Sequence, residues 1–202
     1  MGRNYVAHAS ELGNTVPDEP LIFFKPPSAV TQTGAPVLIP PDVGRVDFEG
    51  EIGLVIGKRA HRVSEDEAWD FVSGVAAMND VTARELQRQD DQWTRAKGLN
   101  SFCPVGNVVD SAGLDPDNLT VVTQVNGEER QRGVSSEMAF SIRYLISYIS
   151  HLFTLEPGDL ILTGTPEGVG PLDPGDEVTV EIDCGSTVSN PFVSGEPVIL
   201  GA

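Results

Sequence analysis

Positive charge is scarce in this sequence. Three lysines and ten arginines stand against 30 aspartates and glutamates, a formal charge of −17. Nucleic acid or an anionic membrane surface would be repelled over most of such a protein, so neither is expected as a partner. Cysteine is scarcer still. Cys103 and Cys184 are the only two, too few for a disulfide scaffold and at no metal-motif spacing. Both read as free thiols in a reducing cytoplasm. No run approaches the ~18 apolar residues of a membrane helix. The start, Met1-Gly-Arg-Asn-Tyr5, has no apolar signal core, and Val6 stands where a myristoylation motif needs Ser or Thr. No repeat, low-complexity tract or linker divides the chain, so residues 1–202 read as one domain.

Glycine and proline, 21 and 15 residues, are plentiful and point to many turns. Asn4 is placed to cap a short helix that Gly13 ends. Pro36–Ile39 reads as a strand. Arg45–Gly57 alternates and then turns apolar, which predicts one long, increasingly buried strand. Ser64–Glu67 and Thr82–Glu85 each have the form of a capping box opening a helix, the second running to about Asp91. Val75–Asn79 reads as a buried strand ending at Asp80. Leu119–Val125 and Glu128–Arg132 flank Asn126-Gly127, the dipeptide of a type I′ hairpin. Ser136 is expected to cap a helix in which Ile142, Leu145, Ile146, Ile149 and Leu152 keep a 3.6-residue period. Leu160–Thr163 and Glu177–Ile182 follow Pro-Gly-Asp turns. The fold class is strand-rich α+β, a sandwich or rolled barrel with a few peripheral helices.

Glu49-Gly50-Glu51 carries the most chemistry. On a strand, alternate residues share a face, roughly 7 Å apart at Cα. Two carboxylates converging on a half-buried face repel and need a cation between them; the alternative is two surface glutamates on an edge strand. Asp80, just past an apolar strand, stands where ligands collect in mixed folds, or else serves the turn. Three carboxylates with no Cys or His nearby make a hard, all-oxygen site that suits Mg²⁺ or Mn²⁺, or Ca²⁺, rather than Zn²⁺. His8 and Glu11, at i and i+3, share a helical face, where a carboxylate orients an imidazole as a general base; a surface ion pair has the same spacing. Lys97 is placed to meet a substrate carboxylate or to lie along the surface. Thr163–Gly170 is Gly-rich and suits an anion, but lacks the ending of a nucleotide loop.

The segments Gly2-Arg-Asn-Tyr-Val-Ala-His8-Ala-Ser-Glu11, Phe24-Lys-Pro-Pro-Ser28, Asp47–Gly57, Met78-Asn-Asp80-Val-Thr-Ala-Arg84, Lys97-Gly98 through Cys103-Pro104, and Thr163–Gly170 occur in one order over nearly the whole chain. Together they resemble the fumarylacetoacetate hydrolase family. The resemblance implies a rolled β-sandwich, a homodimer, and Mg²⁺ or Mn²⁺ on Glu49, Glu51 and Asp80. It implies a small diketo- or keto-acid substrate with a pyruvoyl end. Lys97 would contact the substrate or the developing enolate, Thr165 would hold the carboxylate, and Gln87 would make a further substrate contact. His8 and Glu11 would sit on a short helix closing over the site. The expected reaction is hydrolysis of a carbon–carbon bond of an acylpyruvate through a metal-bound pyruvate enolate. Oxaloacetate decarboxylation and isomerisation of a hydroxyheptadienedioate in aromatic catabolism are the close alternatives. A non-catalytic metal- or acid-binding module is the distant one. Substrate width is assigned to loops such as Gly13–Leu21. The carboxylate of Glu11 is expected to raise the pKa of His8.

Overall fold

The computed structural model describes residues 1–11, 13 and 15–198. Asn14, inside the loop assigned to substrate width, lies outside them. Two sheets form the body. One runs in the order Val30–Gln32, Cys103–Val105, Val72–Asn79, Gly50–Ile56, Leu160–Leu162, with Val109–Asp110 also on Val72–Asn79. The other runs Glu128–Val134, Thr120–Val125, Glu177–Ile182, Ser186–Ser194, Val37–Ile39. Their inner faces pack together, with Ile52, Leu54, Val121, Val180 and Val188 in the core. This is the curled, strand-rich architecture expected.

Val72–Asn79 shows why the site lies deep. Val75, Ala76, Ala77 and Met78 are all fully buried, so both faces of the strand are covered, as a continuous apolar run requires. Any side chain at its C-terminal end is carried into the interior.

The long strand expected over Arg45–Gly57 is two. Val46–Phe48 belongs to a small third sheet with Thr82–Ala83 and Gly170–Pro171, whereas Gly50–Ile56 pairs with Val72–Asn79. The chain changes sheets at Glu49. Asn79 pins the change by accepting the Glu49 N–H at 2.9 Å, and the Glu49 carbonyl accepts the Asp80 N–H at 2.8 Å. Alternation along the sequence does not reveal that a strand switches partners midway.

The described residues hold four α-helices: α1 (Val6–Glu11), α2 (Arg84–Gln89), α3 (Thr94–Lys97) and α4 (Ile142–Leu152). The expected caps are mostly elsewhere. Ser141, not Ser136, caps α4 by accepting the Tyr144 N–H at 3.1 Å. Ile142, Leu145, Ile146 and Ile149 are buried as expected, but Leu152 is 54% exposed. Thr82 lies in a strand and donates to the Asp80 carbonyl at 2.8 Å, so α2 starts after Ala83 without a side-chain cap. Ser64 bonds the Glu67 carboxylate rather than a backbone N–H, and only a four-residue 3-10 turn, Ala68–Phe71, follows. The Asn126-Gly127 hairpin is as expected, with φ of 53° and 80°, the left-handed pair a type I′ turn needs.

Asn4 does not cap α1. Its amide donates to the Phe140 carbonyl at 3.1 Å and the Thr163 carbonyl at 2.8 Å, and its oxygen accepts the Phe140 N–H at 2.9 Å. It therefore ties the segment leading into α1 to the loop after Leu160–Leu162. Removing a fully buried side chain with three such bonds strands polar backbone groups. Asn4→Ala should lower the unfolding free energy by about 1–3 kcal/mol, measured by denaturant titration, whereas an unchanged midpoint would show that the arm is not held this way.

Candidate active site

Glu49, Glu51 and Asp80 converge. Each offers a carboxylate oxygen within 4.8 Å of the others, and all three are buried. Glu49 arrives from the sheet change, Glu51 from the first turn of pleat in Gly50–Ile56, and Asp80 from the end of Val72–Asn79. Buried carboxylates need compensation, and its pattern is specific. The Lys97 ammonium donates to Glu49 Oε2 at 2.6 Å and Asp80 Oδ2 at 2.7 Å. Lys25 donates to Asp80 Oδ1 at 2.6 Å and to the Lys97 carbonyl. Arg84 Nη2 lies 2.7 Å from Glu49 Oε1, and its Nε donates to Asp47 at 2.8 Å. Arg45 grips the same Asp47 through two N–H groups.

The charges respond accordingly. Burial opposes ionisation of Glu49, yet Lys97, Arg84 and His8 hold it well below the usual carboxylate range. Burial likewise opposes ionisation of Asp80, and Lys25 and Lys97 overcome it. Glu51 differs. Its Oε2 accepts the Gly164 N–H at 2.6 Å, but among the described residues no side-chain cation touches it and Oε1 has no hydrogen-bond partner. Burial, with the charges of Asp80 and Glu49 adding to it, pushes its pKa up to about 8. Gly164 is required at its position: φ is +106°, and a Cβ would stand 2.7 Å from that of Asn4.

An orphaned buried carboxylate oxygen within an all-oxygen cluster fits a hard divalent cation. Glu49, Glu51 and Asp80 are the residues that would hold it. Asp80 and Glu51 are fully buried and Glu49 is 4% exposed; of the three, only Glu49 lines the neighbouring cavity of about 330 Å³.

That cavity also collects His8, Lys97, Thr165 and Gln87. The sequence candidates, scattered over residues 8–165, thus meet in one place. His8 is buried on α1, with Nδ1 3.5 Å from Glu11 Oε2, an ion-pair separation rather than a closed hydrogen bond. Both Glu11 oxygens accept the Gly168 N–H, at 3.1 and 3.2 Å. The glycine-rich loop therefore holds two carboxylates of the chain itself, Glu51 and Glu11. The expected rise in the His8 pKa is reversed. Burial lowers it, outweighing the nearby Glu49 and Glu11 charges, so the imidazole is neutral at neutral pH. The Thr165 hydroxyl donates to the Gly50 carbonyl at 2.9 Å and accepts from Gln131 at 2.7 Å. Gln87 accepts from Arg84 at 2.9 Å.

A larger cleft of about 460 Å³, lined by Phe24, Val30, Ile149, Phe153 and Leu162 among others, is mostly apolar and lacks the base and the acidic cluster. Cys103 borders it as a buried free thiol, and burial pushes its pKa up to about 11. Sequence reasoning did not single out Lys25, Arg84, Asn79 or Gln131. The first three lie in segments that carry the family resemblance. Nothing local marks Gln131, whose amide accepts the Gly50 N–H across the two sheets at 3.0 Å.

Residues 1–193 match the family model described as fumarylacetoacetate (FAA) hydrolase C-terminal. The chain is 48% identical over 187 residues to the mitochondrial oxaloacetate tautomerase of Arabidopsis thaliana, covering 90% of this chain and 84% of the relative. Among solved structures, a 5-carboxymethyl-2-hydroxymuconate delta-isomerase from Mycobacterium smegmatis superposes with a TM-score of 0.88 at 43% identity, over 96% of this chain and 77% of that one. A fumarylpyruvate hydrolase from Pseudomonas aeruginosa, solved with Mn²⁺ and pyruvate, superposes with a TM-score of 0.89 at 32% identity, over 96% and 88%.

The raised Glu51 pKa sets a test. Below about pH 8 the cluster carries a proton that a cation must displace. Mn²⁺ affinity, measured by calorimetry, should rise roughly tenfold per pH unit towards pH 8 and flatten above, with about one proton released. Glu49→Ala, Glu51→Ala and Asp80→Ala should each abolish binding. A pH-independent affinity would contradict this account of Glu51.

Proposed function

The chain belongs to the fumarylacetoacetate hydrolase family, and on that premise we propose that it is a divalent-metal-dependent hydrolase of acylpyruvate-type diketo acids. The observation that carries the reading is that a buried His8 lines one small cavity together with Glu49, one of three converging buried carboxylates. Support for the metal and for the pyruvoyl end comes from the fumarylpyruvate hydrolase solved with Mn²⁺ and pyruvate. Mg²⁺ serves the same ligand set. When bound, such a cation supplies positive charge for the carboxylate and carbonyl oxygens of a 2-oxo acid.

The chain's own residues do the rest. Glu11 faces Nδ1 of His8, which leaves Nε2 to accept a proton from water. The hydroxide formed attacks the distal carbonyl. The C3–C4 bond breaks, the acyl group leaves as a carboxylic acid, and the electron pair passes to the pyruvate enolate. Lys97, positively charged and buried, stabilises the enolate oxygen. Protonation at C3 completes pyruvate. Thr165 and Gln87 line the same cavity. The Thr165 hydroxyl hydrogen points to Gly50, so holding a carboxylate there requires that hydroxyl to turn.

A second reading is keto–enol tautomerisation of a 2-oxo acid. It is favoured by the 48% identity to an oxaloacetate tautomerase against 32% to the fumarylpyruvate hydrolase. It uses the same base and moves a proton between carbon and oxygen without water. Free thiols at Cys103 and Cys184 suit a cytoplasmic enzyme, and no described helix is long and apolar enough to cross a membrane.

The working unit is a homodimer. Phe24 and Phe153, 63% and 44% exposed, pack edge to face beside the exposed Val30. A second copy covering this face removes an apolar surface that a monomer would leave in water. Light scattering should give twice the 21.6 kDa chain mass; a monomer mass at working concentration contradicts the dimer.

The base is tested separately from the metal. His8→Ala should keep Mn²⁺ affinity and lose hydrolysis of the best diketo acid by roughly 10²–10⁴-fold; Glu11→Gln should lose less. Because burial lowers the His8 pKa, the wild-type acid limb should fall below the ordinary histidine value of about 6.5. Hydrolysis by His8→Ala within about twofold of wild type would remove His8 as the water-activating base, and a wild type that tautomerises a 2-oxo acid but hydrolyses no diketo acid would transfer the assignment to the second reading.

A further inference from the structure

Among the described residues, the buried side-chain polar atoms without a hydrogen-bond partner are Tyr5 Oη, His8 Nδ1, Glu51 Oε1, Arg84 Nη2 and Thr123 Oγ1. Two of them face a charge all the same: His8 Nδ1 lies 3.5 Å from Glu11, and Arg84 Nη2 lies 2.7 Å from Glu49. The other three carry an uncompensated desolvation cost. The Thr123 hydroxyl packs where a Gly50 side chain would begin, 1.8 Å from the position of an ideal Cβ. Gly50 and Glu51 are neighbours on one strand, so their side-chain directions leave on opposite faces. Thr123 therefore lies across the strand from the Glu51 carboxylate. What remains is one phenol, which can donate, and one carboxylate oxygen, which can accept.

The backbone brings these two to the same loop. Tyr5 follows Asn4, whose amide donates to the Thr163 carbonyl at 2.8 Å, and Glu51 accepts the N–H of the next residue, Gly164, at 2.6 Å. The Tyr5 ring packs over Gly133 beside Pro166: a Cβ at Gly133 would stand 3.2 Å from Cε1 of the ring and 2.7 Å from the Pro166 Cβ. The Tyr5 backbone pairs with Met138, and the residue is 2% exposed, so the phenol cannot turn out to water. Of the charges that act on it, Glu51 is the strongest and Glu137 the next. Glu137 is exposed and already accepts the Val134 N–H at 3.1 Å.

We propose that Tyr5 is a positioning residue of the carboxylate cluster: its O–H donates to Glu51 Oε1 through one bridging water and, with the Gly164 N–H on Oε2, fixes the plane in which Glu51 meets a divalent cation. This rests on the metal reading of the cluster and adds a residue outside the set that would hold the ion. A buried water between a phenol and a carboxylate has the polar partners that an enclosed water requires. Outer partners of this kind orient ligating carboxylates, and removing one typically costs roughly 10–100-fold in metal affinity.

The test is anaerobic Mn²⁺ binding, followed by calorimetry just above the Glu51 pKa of about 8, where the competing proton is largely gone. Tyr5→Phe keeps the ring and removes only the hydroxyl, and near-ultraviolet circular dichroism should show the metal-free variant folded. It should bind Mn²⁺ about tenfold or more weakly than wild type. Its affinity should also flatten at a higher pH, since a carboxylate that loses a donor is harder to ionise. Packing of the ring alone moves neither reading. Glu137→Gln, which removes the other charge near the phenol, should match wild type in both; a loss as large as that of Tyr5→Phe would give the phenol to Glu137 and overturn the inference. Equal Mn²⁺ affinity in wild type and Tyr5→Phe overturns it too and leaves the metal reading standing, whereas a wild type that binds no Mn²⁺ overturns both.

Discussion

Burying three carboxylates side by side is the constraint around which this molecule is organised. Each desolvated anion would cost several kcal/mol if left unpaired. The chain answers with Lys97 between Glu49 and Asp80, Lys25 on the far oxygen of Asp80, and Arg84 on the far oxygen of Glu49. Two of the three lysines in the sequence are used here. Glu51 is left with a single backbone N–H and a pKa of about 8. Glu51 is thus the one carboxylate of the three that no side-chain cation touches among the described residues, a local deficit that a proton or, in the proposed reading, a divalent ion would fill.

The backbone makes that deficit possible. A chain that changes sheets at Glu49 turns one strand's alternation into two separate anchors, with Glu49 at the junction and Glu51 inside the larger sheet. Asn79 and Gln131 satisfy the N–H groups of Glu49 and Gly50 at the break, so no buried donor is lost where the ladder is interrupted. The loop after Leu160–Leu162 brings Gly164 to Glu51 and Gly168 to Glu11. One loop therefore ties the carboxylate cluster to the helix that carries His8. Asn4 fastens the approach to that helix to the same loop.

Much of this was legible in the sequence, and the misses have physical causes. Glu49 and Glu51 declared themselves because i and i+2 spacing is local, and Asp80 because an apolar run stops there. His8 and Glu11 were visible as a helical pair, but the sign of the His8 shift was not. Burial is a property of the packed fold, and it outweighs a neighbour that sequence spacing can see. Lys25 lies 55 residues from Asp80, and no periodicity links them. The capping boxes failed for a local reason: Ser64 and Thr82 donate their hydroxyls to oxygens two or three residues away, the Glu67 carboxylate and the Asp80 carbonyl, instead of accepting a helix N–H. The hairpin at Asn126-Gly127 was fully legible because both residues must adopt positive φ, which few other dipeptides do.

The scarcity of positive charge now has a structural meaning. Surface charges act through water and salt, which screen them over about 8 Å at physiological ionic strength. Charges inside a small, partly desolvated cavity act at contact distance in a lower dielectric. An acidic surface therefore does not prevent an anionic ligand from binding; it only removes the long-range attraction that a basic protein would offer. Selectivity then rests on the few cations the cavity contains. Lys97 and Arg84 already answer to buried carboxylates, so their fields are largely neutralised within the cluster. A protein richer in lysine would present competing positive sites over its surface. With Lys58 as the lone lysine outside the cluster, this chain places two of its three lysines against buried carboxylates, where contact distance and low dielectric make each charge count most.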